Sequence, residues 1–323
     1  VDPIDWLLDS DPAISWQTKR DLTSDSPEAI MAERARIPHE GLGAAILGLQ
    51  NADGSWRRPE APVWLTTLFT LLLLRATGVD RAEPSVALAL GRPDANLRWN
   101  DGDCWELRPA ELGGNSFFEG EVEPCINGGV LAIGSYFGHP AEKLARRLAS
   151  EQLADGGWNC EAPRSSRSSF HTTICVLEGL LEFERAVASE RHDDPVLISV
   201  RAARQRGEEY LLERNLFRRR STGKIANREF LEFAFPPRYH YDILRALDYF
   251  RIAGIHEKVP PDARLAEAVS IVKSKQQADD RWLLDASYTE ALALPLNESV
   301  GTPSRWNTLR ALRVLRWYEQ QNS

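Results

Sequence analysis

QNADGSW at Gln50–Trp56 and QLADGGW at Gln152–Trp158 are one seven-residue pattern, Q-x-x-D-G-x-W, set 102 residues apart. A worn copy, QQADDRW, spans Gln276–Trp282. Each copy closes a charged amphipathic segment and precedes a short loop and then an apolar segment. A motif that recurs in one setting marks an internal repeat, and repeats decide the architecture. Asp-Gly is a turn dipeptide, the tryptophan can pack between neighbouring helix pairs, and the glutamine can bond free backbone groups at helix ends. The motif is therefore read as architecture, with no chemistry assigned to it.

The segments after the turns share a phase. Aligned, they read SWQTKRDL from Ser15, WLTTLFTL from Trp64, PCINGGVL from Pro124, FHTTICVL from Phe170, YHYDILRAL from Tyr239 and RWNTLRAL from Arg305. The second column holds Trp16, Leu65, Cys125, His171, His240 and Trp306, at intervals of 49, 60, 46, 69 and 66 residues. Two places on stand Thr18, Thr67, Asn127, Thr173, Asp242 and Thr308. Pro12, Pro62, Pro124, Pro237 and Pro303 mark five of these strings as helix starts, because proline suits a first helical turn. More polar helical stretches lie between them at Gly41–Gln50, Ala141–Gln152, Val200–Glu213 and Ala263–Lys275, with apolar residues recurring at three and four.

The expected fold is all-α: an (α/α)6 toroid of six helical hairpins, apolar helices inside and amphipathic helices outside. Neither helix of a pair can bury its apolar face alone, so residues 1–323 are expected to form one domain. Residues 91–123 are read as an irregular insertion, and loops of that length often serve as lids or site walls.

A net charge of -8 disfavours nucleic acid as a partner, which needs a basic surface. Four cysteines, Cys104, Cys125, Cys160 and Cys175, are too few for a disulfide scaffold and point to a reducing cytoplasm, with thiols free or used as ligands. VDPIDWLLDSD at the N-terminus lacks the basic start and apolar core of a signal peptide. No apolar run approaches the ~20 residues of a membrane span, which leaves only peripheral contact with a membrane.

The Q-x-x-D-G-x-W turns resemble the QW motifs of squalene–hopene cyclases and related triterpene cyclases, whose α/α toroid is shared with the β subunits of protein prenyltransferases. The chain most resembles short, single-toroid bacterial squalene-cyclase-like proteins of unassigned reaction. The resemblance implies a ligand in a central cavity near the inner-helix starts. Class II terpene cyclases use an acidic D-x-D-D motif. Here the nearest string is Asp101-Gly102-Asp103-Cys104, with cysteine in the last place and on the insertion. Full-size cyclases also carry a second barrel, so squalene cyclisation itself is not expected.

Two constellations carry candidate chemistry. Cys125, His171 and His240 begin three consecutive inner helices, Cys160 follows the second motif, and Cys175 lies one turn after His171. Cysteine and imidazole are ligands that zinc prefers, and three protein ligands leave an open position, so Cys125, Cys160 and His171 are the expected zinc ligands. Prenyltransferases hold zinc with Asp, Cys and His, and lanthionine cyclases with two Cys and a His; neither local motif is present. Alternatively the cysteines are small core residues and the histidines bond helix ends.

The second constellation is FPPRYHYD, Phe235–Asp242. Asp242 is the one carboxylate in a column of Thr and Asn, and is expected to act as general acid or base with His240 as proton partner. The plainer reading is a side chain that bonds backbone near the helix start. Trp16, Trp64, Phe170, Tyr239, Tyr241 and Trp306, with Arg238, are the expected substrate-binding residues. Arg214, Arg218, Arg219, Arg220 and Lys224 form a basic stretch that suits a diphosphate or a solvated loop. The leading function is a terpenoid cyclase/prenyltransferase-like enzyme acting on an isoprenoid or other largely apolar substrate. The rivals are a carbohydrate-active barrel pairing Asp242 with Glu123 or Glu161 across a cavity, and a non-catalytic lipid- or peptide-binding toroid.

Overall fold

The computed structural model describes residues 2–100, 106–120, 123–187 and 194–321. Among them the chain is mainly helical: α1 (Pro3–Leu8), α2 (Pro12–Leu22), α3 (Pro27–Arg34), α4 (Gly41–Gly48), α5 (Val63–Thr77), α6 (Pro84–Asn96), α7 (Pro124–Tyr136), α8 (Glu142–Ser150), α9 (Phe170–Val187), α10 (Pro195–Leu212), α11 (Ile243–Glu257), α12 (Ala266–Ser274) and α13 (Arg305–Gln321). Prolines open α1, α2, α3, α6, α7 and α10, where the missing N–H has no helical partner to lose. Among the described residues no helix is long and apolar enough to cross a membrane.

Packing divides the chain into two compact units: residues 1–44, 211–289 and 295–323, and residues 45–210 with 290–294. In the first unit α2 packs on α1, α3 and α13, and α11 packs on α12 and α13. Its core holds Leu7, Ile14, Leu244, Leu247, Leu309 and Val314. In the second unit α7 packs on α5, α8 and α9 around Leu71, Val130, Leu131, Ile174, Leu177 and Leu180.

Each repeated turn is a clasp. The indole N–H of Trp56, Trp158 and Trp282 donates to the carbonyl ten residues earlier, on Ile46 (2.8 Å), Leu148 (2.7 Å) and Val272 (2.7 Å). The backbone N–H of each tryptophan donates to a threonine hydroxyl in the following helix: Thr67 and Thr173 at 3.1 Å, Thr308 at 3.0 Å. All three tryptophans are fully buried. In the first two copies the glutamine also reaches forward, Gln50 Nε2 to the Ala89 carbonyl of α6 (2.6 Å) and Gln152 Nε2 to the Ala203 carbonyl of α10 (2.7 Å). Gly54 and Gly156 sit at φ 90° and 95°, and a Cβ there would come within 2.5 Å of Pro93 N and 2.8 Å of the Arg206 carbonyl. The third copy puts Asp280 at φ 61° in that place, and Gln276 bonds the Asp280 carboxylate (3.0 Å).

Two expectations need revision. The described residues between 91 and 123 begin as the end of α6 and include a small antiparallel sheet, β1 (Leu97–Trp99), β2 (Leu107–Pro109) and β3 (Asn115–Ser116), in the order β2-β1-β3. Buried Trp99 anchors it, stacking on Phe117 and donating its indole N–H to the Phe117 carbonyl (2.8 Å). Asp101-Gly102-Asp103-Cys104 lies outside the described residues. The fifth aligned string also starts its helix late. Arg238 adopts φ 50°, and helical structure begins at Ile243 with Asp242 as N-cap.

Candidate metal centre

The second clasp positions the site. Trp158 is tied to Thr173, so two residues on Cys160 comes to lie over Thr172, its N–H and Sγ each 3.4 Å from the Thr172 hydroxyl. Ser169 N–H returns to the Trp158 carbonyl (2.8 Å) and closes the loop. On the facing helix Glu123 is the N-cap residue of α7, Pro124 its first residue and Cys125 its second. Glycines bring α7 and α9 together: a Cβ on Gly128 would stand 2.4 Å from the Cys175 carbonyl, and one on Gly179 2.5 Å from the Gly128 carbonyl. Small side chains at a crossing allow this backbone approach, and the start of α7 meets the loop that carries Cys160.

There the Cys125 and Cys160 sulfurs are 2.8 Å apart, and Glu123 Oε2 is 3.6 Å from Cys125 Sγ. One ligand atom from each of Glu123, Cys125 and Cys160 falls within 4.8 Å of the others, and all three residues are half-buried. The Cys125–Cys160 hydrogen bond, reinforced by burial, pushes the Cys125 thiol up. The same bond holds the Cys160 thiol below its usual range against burial, with help from Thr172. The two thiols titrate as one coupled pair. Two thiolates and a carboxylate are a donor set that suits zinc. Two sulfurs on one tetrahedral zinc lie about 3.8 Å apart for ~2.3 Å bonds, so this pair would open by about 1 Å.

The group contains Glu123 and not His171. His171 is the second residue of α9, next to Thr172, and Cys175 is buried one turn further on. The signal for Glu123 was its place directly before the helix-opening Pro124, where its carboxylate shares a helix start with Cys125.

In the first unit, Asp242 is 2% exposed. It accepts from Arg245 N–H (2.8 Å) and Ala234 N–H (3.5 Å), and its Oδ1 is 4.0 Å from Arg310 Nη2. Burial raises its carboxyl above the usual range, against Arg310 and the Arg245 N–H. Its bond to Ala234 N–H repeats what Thr67, Thr173 and Thr308 do for the tryptophan N–H groups. His240 is stacked between Tyr239 (centroids 4.1 Å) and Tyr288 (3.5 Å), with the Arg238 guanidinium 5.7 Å from the Tyr239 ring.

Of the expected substrate-binding aromatics, Trp16 is buried under Arg20 and Arg34. Trp306 is buried against Phe235 (4.3 Å), and Tyr241 is buried with its hydroxyl on the Leu216 carbonyl (2.6 Å). Trp64 lies beside Trp99 and Phe170 beside Tyr210, while Tyr239 is 43% exposed. In the basic stretch Arg218 pairs with Glu267 and Arg220 with Glu213 (3.1 Å). A buried ion cluster escaped the sequence reading: Asp248 with Arg251 (2.9 Å) and Arg313. Its signal was charge inside otherwise apolar faces of α11 and α13. No protein-family profile matches the chain, and no curated protein matches it either.

Proposed function

We propose that the chain is a zinc-dependent enzyme whose metal is held by Glu123, Cys125 and Cys160 and whose substrate is an isoprenoid or other largely apolar molecule. The observation that carries the reading is the convergence of Glu123 and Cys125, at the start of α7, with Cys160, in the loop that leads to α9. Three protein ligands leave a coordination position for substrate or water, and a metal there would act as a Lewis acid or activate a bound nucleophile. Glu123 and the two cysteines bind it, and Thr172 holds Cys160 in place. The apolar substrate and the ring of inner helices around it follow from the likeness of the clasps to QW motifs. The sugar-cleaving alternative loses support, because it needs the Asp242 carboxylate free to face a substrate. That carboxylate is buried and bonded to two backbone N–H groups.

The test is elemental analysis of purified protein combined with native mass spectrometry. About one zinc per chain is expected, lost in Cys160→Ser, reduced in Glu123→Gln and retained in Cys175→Ser. Zinc well below one per chain, or zinc unaffected by Cys160→Ser, overturns the metal site. A co-purifying sugar in place of an apolar ligand overturns the substrate class.

A further inference from the structure

We propose that Cys125 and Cys160 are a reversible modification site: in the metal-free protein a hydroperoxide joins them in an intramolecular disulfide. The consequence, that the link excludes a metal, rests on the metal-centre reading above; the bond itself rests on geometry alone. The two sulfurs are 2.8 Å apart. A disulfide is about 2.05 Å long, so closure asks the sulfurs to move together by about 0.8 Å. Cys160 lies in the loop between Trp158 and α9, and Cys125 in the first turn of α7. Neither sits deep inside a helix. Both are half-buried, while Cys175 is only 5% exposed within α9. Contact, access and loop placement thus single out this pair among the described cysteines.

The chemistry balances in two steps. One sulfur, as thiolate, attacks a peroxide oxygen; an S–O bond forms, the O–O bond breaks, and hydroxide leaves and takes up a proton. The second sulfur, its proton removed, then attacks the resulting sulfenic sulfur; the S–S bond forms and the sulfenic oxygen leaves as water. Two thiol hydrogens and two electrons reduce one hydrogen peroxide to two waters. A dithiol reverses the link by exchange.

The full chain, stripped of metal by a chelator, is treated with hydrogen peroxide and mapped as non-reduced peptides. The expected product is one linked pair carrying Cys125 and Cys160, two hydrogens lighter, reversed by dithiothreitol and unchanged in Cys175→Ser. Met31, the only methionine and 50% exposed, serves as an internal dose marker. Free thiols at Cys125 and Cys160 once Met31 is a sulfoxide would overturn the proposal. So would sulfinic acid without a link, or a link through Cys104 or Cys175. In a second arm, preloaded zinc slows the link by about tenfold or more, and the linked protein takes up no zinc. A link that forms in a protein that never binds zinc defeats the metal reading alone; zinc binding without any link defeats this proposal alone.

Discussion

Asp242 shows how one residue can satisfy two readings until its bonds are known. As the only carboxylate in its column it looks chemical, yet its oxygens cap α11 and hold Ala234 N–H, as threonine hydroxyls hold the clasp tryptophans. Asp242→Ala should therefore cost about 0.5–2 kcal/mol, the usual range for a lost N-cap. Asp242→Asn should recover most of that, since an amide oxygen still accepts from Arg245 N–H. Urea midpoints for the two variants decide it, and an alanine variant as stable as the parent would remove the capping role. The Glu123–Cys125–Cys160 cluster was legible in part. Cys125, at a helix start, and Cys160, in the loop after the second motif, stand out as soft ligands, and they do meet. Glu123 was hidden because a carboxylate before a helix-opening proline reads equally well as a helix-start charge. The Asp248–Arg313 pair was hidden because burial of a charge depends on partners a linear sequence does not bring together.

At the scale of elements, the aligned columns placed α2, α5, α7, α9 and α13 well, with prolines marking the starts of all but α9, because these helices combine an apolar face with a sharp start. Helix α11 departs from its aligned string because a side-chain cap and a left-handed Arg238 set its start, and neither has a periodic signature. The three short strands escaped notice for a similar reason: two or three residues are too few to show alternation. The clasp offers the sharpest test. Thr173→Val keeps the shape of the side chain but leaves the Trp158 N–H buried with its acceptor removed, a loss of about 1–3 kcal/mol. Thr173→Ser should lose much less. Denaturant unfolding of the pair checks this, and equal stability for valine and serine would mean that packing alone holds the turn.

At the scale of the whole molecule, buried ion pairs give the chain an acid limit. Burial alone would raise the Asp248 carboxyl, but Arg313 and Arg251 overcome it and hold the group below its ordinary range. A carboxyl depressed on folding stabilises the protein above its unfolded value of about 3.9 and loses that contribution as pH falls through the lower folded value. Asp242 has the opposite sign: raised by burial, it favours the fold most in acid and loses that contribution as pH rises. With Asp21 and Glu184 also depressed, the Asp248 direction dominates. The urea midpoint should fall as pH drops below about 4. Asp248→Asn should flatten that slope while costing about 3–5 kcal/mol at neutral pH, the usual loss when a buried ion pair is broken. A variant with the parent's acid slope would show that Asp248 is not its source.

The three clasps also explain which letters of a repeat can be lost. Tryptophan binds backward to the helix before it and, through its backbone N–H, forward to a threonine of the next helix, and it does so in all three copies. Glutamine and glycine of the first two copies reach further along: the amide grips α6 or α10, and the missing Cβ makes room for it. In the third copy Gln276 bonds within its own turn, and an exposed Asp280 tolerates the glycine's backbone angle. The spelling of the motif is thus two independent words, one for closing a hairpin and one for gripping its successor. A copy can therefore keep the first word without the second.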